Sequence, residues 1–380
     1  MPPQEDKMSG PGVARREAGS VRTSGGSNKD LLAASLRLKD LLEVGPRVPA
    51  TGAGSGGSGP QGSNTIELPP WFDWDKFQRG QRYFQHNFFT MFAAKLSGLL
   101  TLLAIPSILR VLCLTKQSGS PSTAFKRYLS TLDHMLSWYE GDLLEPTSKA
   151  YQSLAMVRGK HDAAARKSLK MSSSNVPLSQ LDMVLTQFAF MGLAILYPHK
   201  LGISSSSSSS READEEGFIH FWRTIAYLLG VQDRFNICRP STRETKVICR
   251  GLLINVFIPS LHSPPPAFGR MARALTNGMW ALVPVLDAHA FLRYTRTLIG
   301  DKMMEEDVKP YSTGKDVTDQ VQGFGGPYSR FIFNLLVFVQ EILLGFRVIN
   351  AFLRPYLNIQ LKFALFLAHK FPFLTITHTY

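Results

Sequence analysis

The sequence predicts an all-α protein, a single large helical domain behind a disordered N-terminal tail, and three observations predict it. From Leu68 onward apolar residues recur at intervals of three and four, while strict alternation is rare. Hydrophobic residues make up 44% of the 380 and charged residues 19%, enough apolar material to bury a core and too much for a chain without structure. The low-complexity segments stand apart from this pattern, at the N-terminus and in one internal run.

Taken in order, residues 1–66 are dominated by Gly, Ser, Pro and charges, as in TGAGSGGSGPQGSN. One apolar run interrupts them, LLAASLRLKDLLEV, and a lone helix of that length is marginal in water, so a transient helix within a solvated tail is expected. The fold begins near Leu68, ahead of PPWFDWDKF, and the domain is expected over 67–300. The stretch 96–109, LSGLLTLLAIPSIL, holds 14 uncharged residues between Lys95 and Arg110. A membrane span needs about 20, so a buried core helix is expected. Further helices are predicted over 123–144, 149–170, 178–196 and 216–229, and another over roughly 268–298 with a kink or break at Pro284. The Ser run 204–210 with READEEG behind it reads as a solvated loop insertion over 204–216.

The remainder, 301–380, is an apolar helical extension. Its stretch 331–353, FIFNLLVFVQEILLGFRVINAFL, is long enough to cross a membrane but carries Glu341 and Arg347, each costly in lipid. Together with 363–373 it fits a soluble core pair first, a helix lying on or dipping into a membrane second, and a span third.

Lys and Arg total 42 against 29 Asp and Glu, a net charge of +13 that favours anionic partners. The bias is concentrated in a 57-residue stretch without a single acid between Asp75 and Asp133, where Lys76, Arg79, Arg82, Lys95, Arg110, Lys116, Lys126 and Arg127 all lie. Solvated side chains account for most such stretches, and a surface near acidic lipid accounts for the rest. No zinc-finger spacing, helix-turn-helix or RNA-binding aromatic motif accompanies it, so nucleic acid is not an expected partner. The three cysteines, Cys113, Cys238 and Cys249, are too far apart and too few for a disulfide framework or a Cys-rich zinc site. The opening MPPQEDKMSGPGVARREAGS has no apolar secretory core, so an intracellular, reducing location is expected.

The common catalytic signatures GxGxxG, GxxxxGK[ST], HExxH, GxSxG and CxxC are all absent, which leaves histidine as the residue type to follow. In KAYQSLAMVRGKHDAAARKSL, His161 falls on the apolar stripe of Leu154, Val157 and Leu169. A neutral imidazole there is either a satisfied core residue, the more frequent case, or a metal ligand. Arg158, Lys160, Arg166 and Lys167 lie on neighbouring faces and suit the propionates of a haem or open solvent equally. On the preceding helix Arg127, Thr131 and His134 follow at i, i+4 and i+7, with Ser130 beside them, forming either a solvent face or the lining of a polar pocket.

These elements, in this order, resemble the catalytic domain shared by rubber oxygenases (latex-clearing proteins) and the ER-bound oxygenase that shortens the prenyl chain in mycophenolic acid biosynthesis. Arg127-Tyr-Leu-Ser-Thr131 resembles that family's Arg followed at +4 by Thr, and His161, 30 residues after Thr131, stands where its proximal haem histidine stands. The resemblance continues through VPLSQLDMVLTQFAFMGLAIL, with Gln180, Asp182 and Phe188, and through GFIHFWRTIAYLLGVQDRFNIC, with His220, Trp222, Arg223, Gly230 and Asp233. It covers about 71–300.

The resemblance implies a helical domain enclosing a haem b pocket, with the iron on His161 and with Arg127, Thr131 and Arg158 bordering the haem or the oxygen pocket. Arg127 and Thr131 are then the catalytic candidates, and Phe188, Phe190 and Leu228 the walls of an apolar cavity. The implied reaction joins O2 to an alkene in an apolar isoprenoid or prenylated lipid, near the endoplasmic reticulum or another membrane. Two departures stand out. Ser130 replaces the Lys that precedes the Thr in rubber oxygenases, and the acid-free stretch leaves no counterpart of their carboxylate base. Cleavage of polyisoprene itself is therefore not expected, a smaller prenylated or terpenoid lipid is the better substrate, and a haem- or lipid-binding protein of the same fold without turnover is the alternative.

Overall fold

Capping residues mark where the helices begin. The structure, a computed structural model, describes residues 24–50, 66–171, 178–205, 207, 209–300 and 326–371. The first helix, α1 (Ser24–Glu43), is followed by α2 (Trp74–His86), whose start is held by the Asp73 carboxylate accepting the Lys76 amide at 3.1 Å. Next come α3 (Phe88–Leu102) and α4 (Pro106–Thr115). Ser120 and Thr123 form a capping box at α5 (Pro121–Glu140), with Pro121 in the first turn, where its missing amide costs no hydrogen bond. After α6 (Lys149–Met171), Ser179 and Asp182 form the same box at α7 (Gln180–Leu196). The chain continues through α8 (Arg211–Leu228) to α9 (Thr242–Leu252), and a π-helical turn (Leu253–Phe257) leads into α10 (Ile258–His262). Helices α11 (Phe268–Met279) and α12 (Ala288–Ile299) complete the main body. The final hairpin is α13 (Pro327–Val337), a second π turn (Phe338–Leu343) and α14 (Arg347–Lys370). No strand occurs among the described residues, which carry one isolated bridge, Pro49 to Ser179.

Two close helix crossings organise the core. Gly80 of α2 meets Gly217 of α8 so closely that a Cβ on Gly80 would overlap the Gly217 carbonyl and approach the Phe221 Cβ to 2.8 Å. A Cβ on Gly98 of α3 would likewise overlap the backbone of Ala189 in α7. Only glycine permits backbones this close. Helix α5 packs between α6 and α11, which places its two faces against different neighbours.

The structure corrects three expectations. The run 96–109 is not one helix: α3 ends at Leu102, Ile105 is extended (φ −81°, ψ 117°), and α4 starts at Pro106, bent 95° from α3. The residue before a proline avoids the helical region, which forces the break. The acidic part of the 204–216 insertion is the first turns of α8 rather than loop. Asp214 pairs with Arg79 at 2.8 Å and Glu215 with Lys246 at 2.6 Å, and Glu212 and Asp214 complement the positive end of the helix. Finally, the apolar run expected as a transient helix in a solvated tail is a docked one. Ala34 and Leu41 of α1 are buried, Arg37 pairs with Glu244 of α9 at 2.8 Å, and the Ser241 hydroxyl donates to Asp30 at 2.9 Å. Behind it, the Ala50 amide donates to the Leu178 carbonyl at 2.8 Å. The sequence expectations for 1–23, 51–65, 301–325 and 372–380 lie outside the described residues.

The break expected near Pro284 separates α11 from α12. At the C-terminal end, 331–353 is interrupted between Leu343 and Arg347. No single helix among the described residues is long and apolar enough to cross a membrane, although the bent pair α3–α4 passes that test by length and composition together.

Candidate functional site

Helices α5 and α6 carry the sequence candidates and pack against each other. His134 on α5 reaches across to α6, with Nδ1 2.9 Å from the Ser153 hydroxyl and Nε2 3.3 Å from the Lys160 ammonium. The Trp138 indole donates to the same Ser153 oxygen at 3.0 Å. Thr131 lies one helical turn before His134 on α5, and His161 follows Lys160 on α6.

His161 lies on the inward face of α6, in register with the buried Ala150, Leu154 and Ala165. Its Nδ1 is shielded from solvent and has no hydrogen-bond partner among the described residues. Burial pushes its pKa down to about 4, with Asp162 opposing and Lys160 assisting, so the imidazole is neutral at pH 7. An unmatched buried ring nitrogen costs about 1–3 kcal/mol, and coordination to a metal is one way to relieve that cost.

The other two histidines singled out differ from it. His134 has the partners just named, and His220 accepts the Asp73 amide at Nε2 (3.0 Å) while packing edge-on against Trp71. Burial lowers the pKa of both, that of His220 to about 4.

Arg127 is half-buried and donates through Nη1 to the Thr115 hydroxyl at 2.8 Å. Burial disfavours its charge. The Thr131 hydroxyl donates back to the Arg127 carbonyl at 3.0 Å, a local bond that fixes its rotamer. Ser130, standing where rubber oxygenases carry Lys, is exposed and turned away from the core. Arg158, half-buried, precedes His161 by three residues on α6.

The residues expected to wall an apolar cavity, Phe188, Phe190 and Leu228, pack within the core. Phe188 stacks on Phe257 (centroids 4.5 Å apart), Phe190 packs against Trp222 at 5.2 Å, and Leu228 is buried. A groove of about 630 Å³ runs between the start of α5, the α11–α12 connection and the α13–α14 hairpin, lined by Leu282, Leu336, Val339, Leu357, Leu361 and Ala364. It touches α5 at Pro121 and Ser122, on the helix that carries Arg127 and Thr131. A polar cleft of about 670 Å³ between α8 and α9 contains none of the candidate residues.

Sequence reasoning read Lys95 as a boundary of the 96–109 run and one of the basic residues of the acid-free stretch, not as a buried cation. It is the one charged residue in FFTMFAAKLSGLLTL, and it lies buried with its ammonium over the Phe190 ring, 4.8 Å from the centroid. Burial lowers its pKa to about 7, Asp133 opposing. The signal was present, since a lone Lys inside an otherwise apolar helix is either a boundary or a buried cation.

With this geometry in hand, comparison with known proteins adds the following. Residues 81–306, more than half of the chain, match the family model described as ER-bound oxygenase mpaB/B'/rubber oxygenase, catalytic domain. Among solved structures the chain is similar to latex clearing protein LCP in the closed state, with 17% identity and a TM-score of 0.55 over 90% of this chain and 89% of that one. At that identity the likeness concerns the fold. No curated protein matches the chain.

Proposed function

The chain belongs to the ER-bound oxygenase mpaB/B' and rubber oxygenase catalytic-domain family, and from that premise we propose that it is a haem-b-dependent oxygenase acting with O2 on an alkene in an apolar isoprenoid or prenylated lipid. The observation that carries the reading is His161, a half-buried neutral imidazole on α6 whose shielded Nδ1 has no hydrogen-bond partner among the described residues. The residues fit the group. His161 would hold the iron, and Arg127 and Arg158, half-buried on α5 and α6, would offer cations to the propionates. When bound, haem supplies the oxygen chemistry that cleaves or oxidises the alkene to carbonyl products.

The protein's part is positional. The His134–Ser153–Trp138 cluster clamps α5, which carries Thr131, to α6, which carries His161. The Thr131 hydroxyl, bonded to the Arg127 carbonyl, is held in a defined rotamer on α5. The apolar groove beginning at Pro121 suits a hydrocarbon chain. Residues 67–300 form the haem domain in this reading, and its setting is intracellular, at the endoplasmic reticulum or another membrane.

A second reading, haem or lipid binding without turnover, is favoured by the exposed Ser130 and the absence of any carboxylate in the 57-residue stretch before Asp133. Absorption spectra from 350 to 700 nm, with dithionite and CO, test the first point. The wild type should show a Soret band, His161→Ala should lose most of it, and His134→Ala and His220→Ala should retain it. Equal loss in all three, or none in His161→Ala, would refute the ligand assignment. Oxygen consumption with a prenylated lipid then separates the oxygenase from the binder.

A further inference from the structure

Helix α14 docks on the body through polar groups and turns its apolar side outward. The inward row begins with Asn350, Arg354 and Asn358. Arg354 donates to Asn350 and to His86 Nε2 (2.6 Å), and Asn358 accepts the Phe89 amide at 2.8 Å and donates to the His86 carbonyl at 2.9 Å. Leu361 and Leu365 continue this row, and near the end His369 meets Asp133 at 3.0 Å. The outward row is Val348, Phe352, Tyr356, Ile359, Phe363 and Phe366, every one more than half exposed. A helix facing water has the opposite arrangement. The first arm of the hairpin extends the face with Phe331, Phe338 and Phe346, all exposed. Single exposed apolar residues need no explanation, but a contiguous aromatic face does.

Charge indicates what covers it. Arg330, Arg347, Lys362 and Lys370 are exposed around this face, and the one acid within 326–371 is Glu341, half-buried. A symmetric pairing of two copies through the face would set these cations against their own equivalents. An anionic lipid surface instead complements them, and aromatic side chains beside Lys and Arg suit the headgroup layer. From Val348 to Phe366 the outward row is roughly 27 Å long at about 1.5 Å per residue.

We infer that the outward face of α13–α14 docks on an anionic phospholipid bilayer, with α14 lying along the surface. The groove described above opens at the same place, since Phe363 both lines it and is exposed. An apolar molecule dissolved in the bilayer therefore reaches the groove without crossing water. The inference stands on α14 and does not depend on haem or oxygenase activity.

Flotation of the full chain with phosphatidylcholine vesicles, with and without phosphatidylserine, tests it. The chain should float with the phosphatidylserine vesicles and less so at high salt. The triple variant Phe352→Ser, Ile359→Ser, Phe366→Ser should lose roughly tenfold or more of its partition while keeping the helical circular dichroism of the parent. Lys362→Glu with Lys370→Glu, which leaves the apolar row intact, should weaken binding to the anionic vesicles alone. A folded parent that stays at the bottom of the gradient would overturn the proposal, as would charge-reversal variants that float like the parent. So would light scattering that finds a parent dimer which the triple variant dissolves. The absorption spectrum of the triple variant reports on the haem proposal separately, so the two readings can fail independently.

Discussion

Lys95 shows how a single residue can set the pH response of a helix. Its ammonium sits among the apolar residues of α3 over Phe190, and its pKa falls from the ordinary 10.5 to about 7 because burial disfavours the charge. In the unfolded chain the group keeps its proton until about pH 10.4, so between 7 and that value the unfolded state holds a proton the folded state has released. Folding is therefore penalised fully below pH 7, and the penalty shrinks as pH rises, by up to about 1.4 kcal/mol per unit. Lys95→Met should raise the urea midpoint at pH 6.5 and raise it progressively less toward pH 10; a constant increment would mean that packing rather than charge sets the difference. At this scale His161 was legible in the sequence as a core histidine, because its apolar stripe is periodic. The contrast with His134 and His220 was not, since Ser153 and the Asp73 amide come from other segments of the chain.

Helices legible as periodic patterns agree with the structure to within a few residues, as α6 and α7 show, because local spacing and a capping box specify them. The errors arose where tertiary contacts override local preference. The acidic start of α8 reads as loop until Arg79 and Lys246 arrive from elsewhere to pair with it. The run in α1 is too short to hold a helix by itself, and becomes one because α9 offers it an apolar seat, where a Cβ on Gly251 would overlap Leu38. Leu41, 1% exposed, discriminates between the two descriptions. Leu41→Ala should destabilise the protein by about 2–4 kcal/mol, read from its chemical unfolding midpoint, whereas a solvated tail would register no change.

The whole molecule answers to acid through histidines that folding keeps neutral. Burial lowers the pKa of His220 to about 4 and also lowers that of His86, where Arg354 adds to the effect. As pH falls from about 6.5 the unfolded chain takes up these protons first, so stability declines toward pH 4. His369 has the opposite sign: its bond to Asp133 raises its pKa, and the stability it contributes is present below about 6.5 and lost as pH rises through the raised value. His220→Gln, which retains an acceptor for the Asp73 amide, should flatten the decline in melting temperature between pH 6.5 and 4.5, and an unchanged slope would assign that decline to other groups. The helical architecture was legible in the sequence. The cavity was not, because the groove is assembled from α5, α11 and the C-terminal hairpin, and no local pattern announces walls so distant in sequence. The same long reach governs the order in which the chain matures. The bond between Asp30 and Ser241 joins positions 211 residues apart, so on the ribosome α1 emerges early and waits, its leucines unsheltered, until most of the domain has been made. During that interval the segment lacks the apolar seat on α9 that makes it a helix.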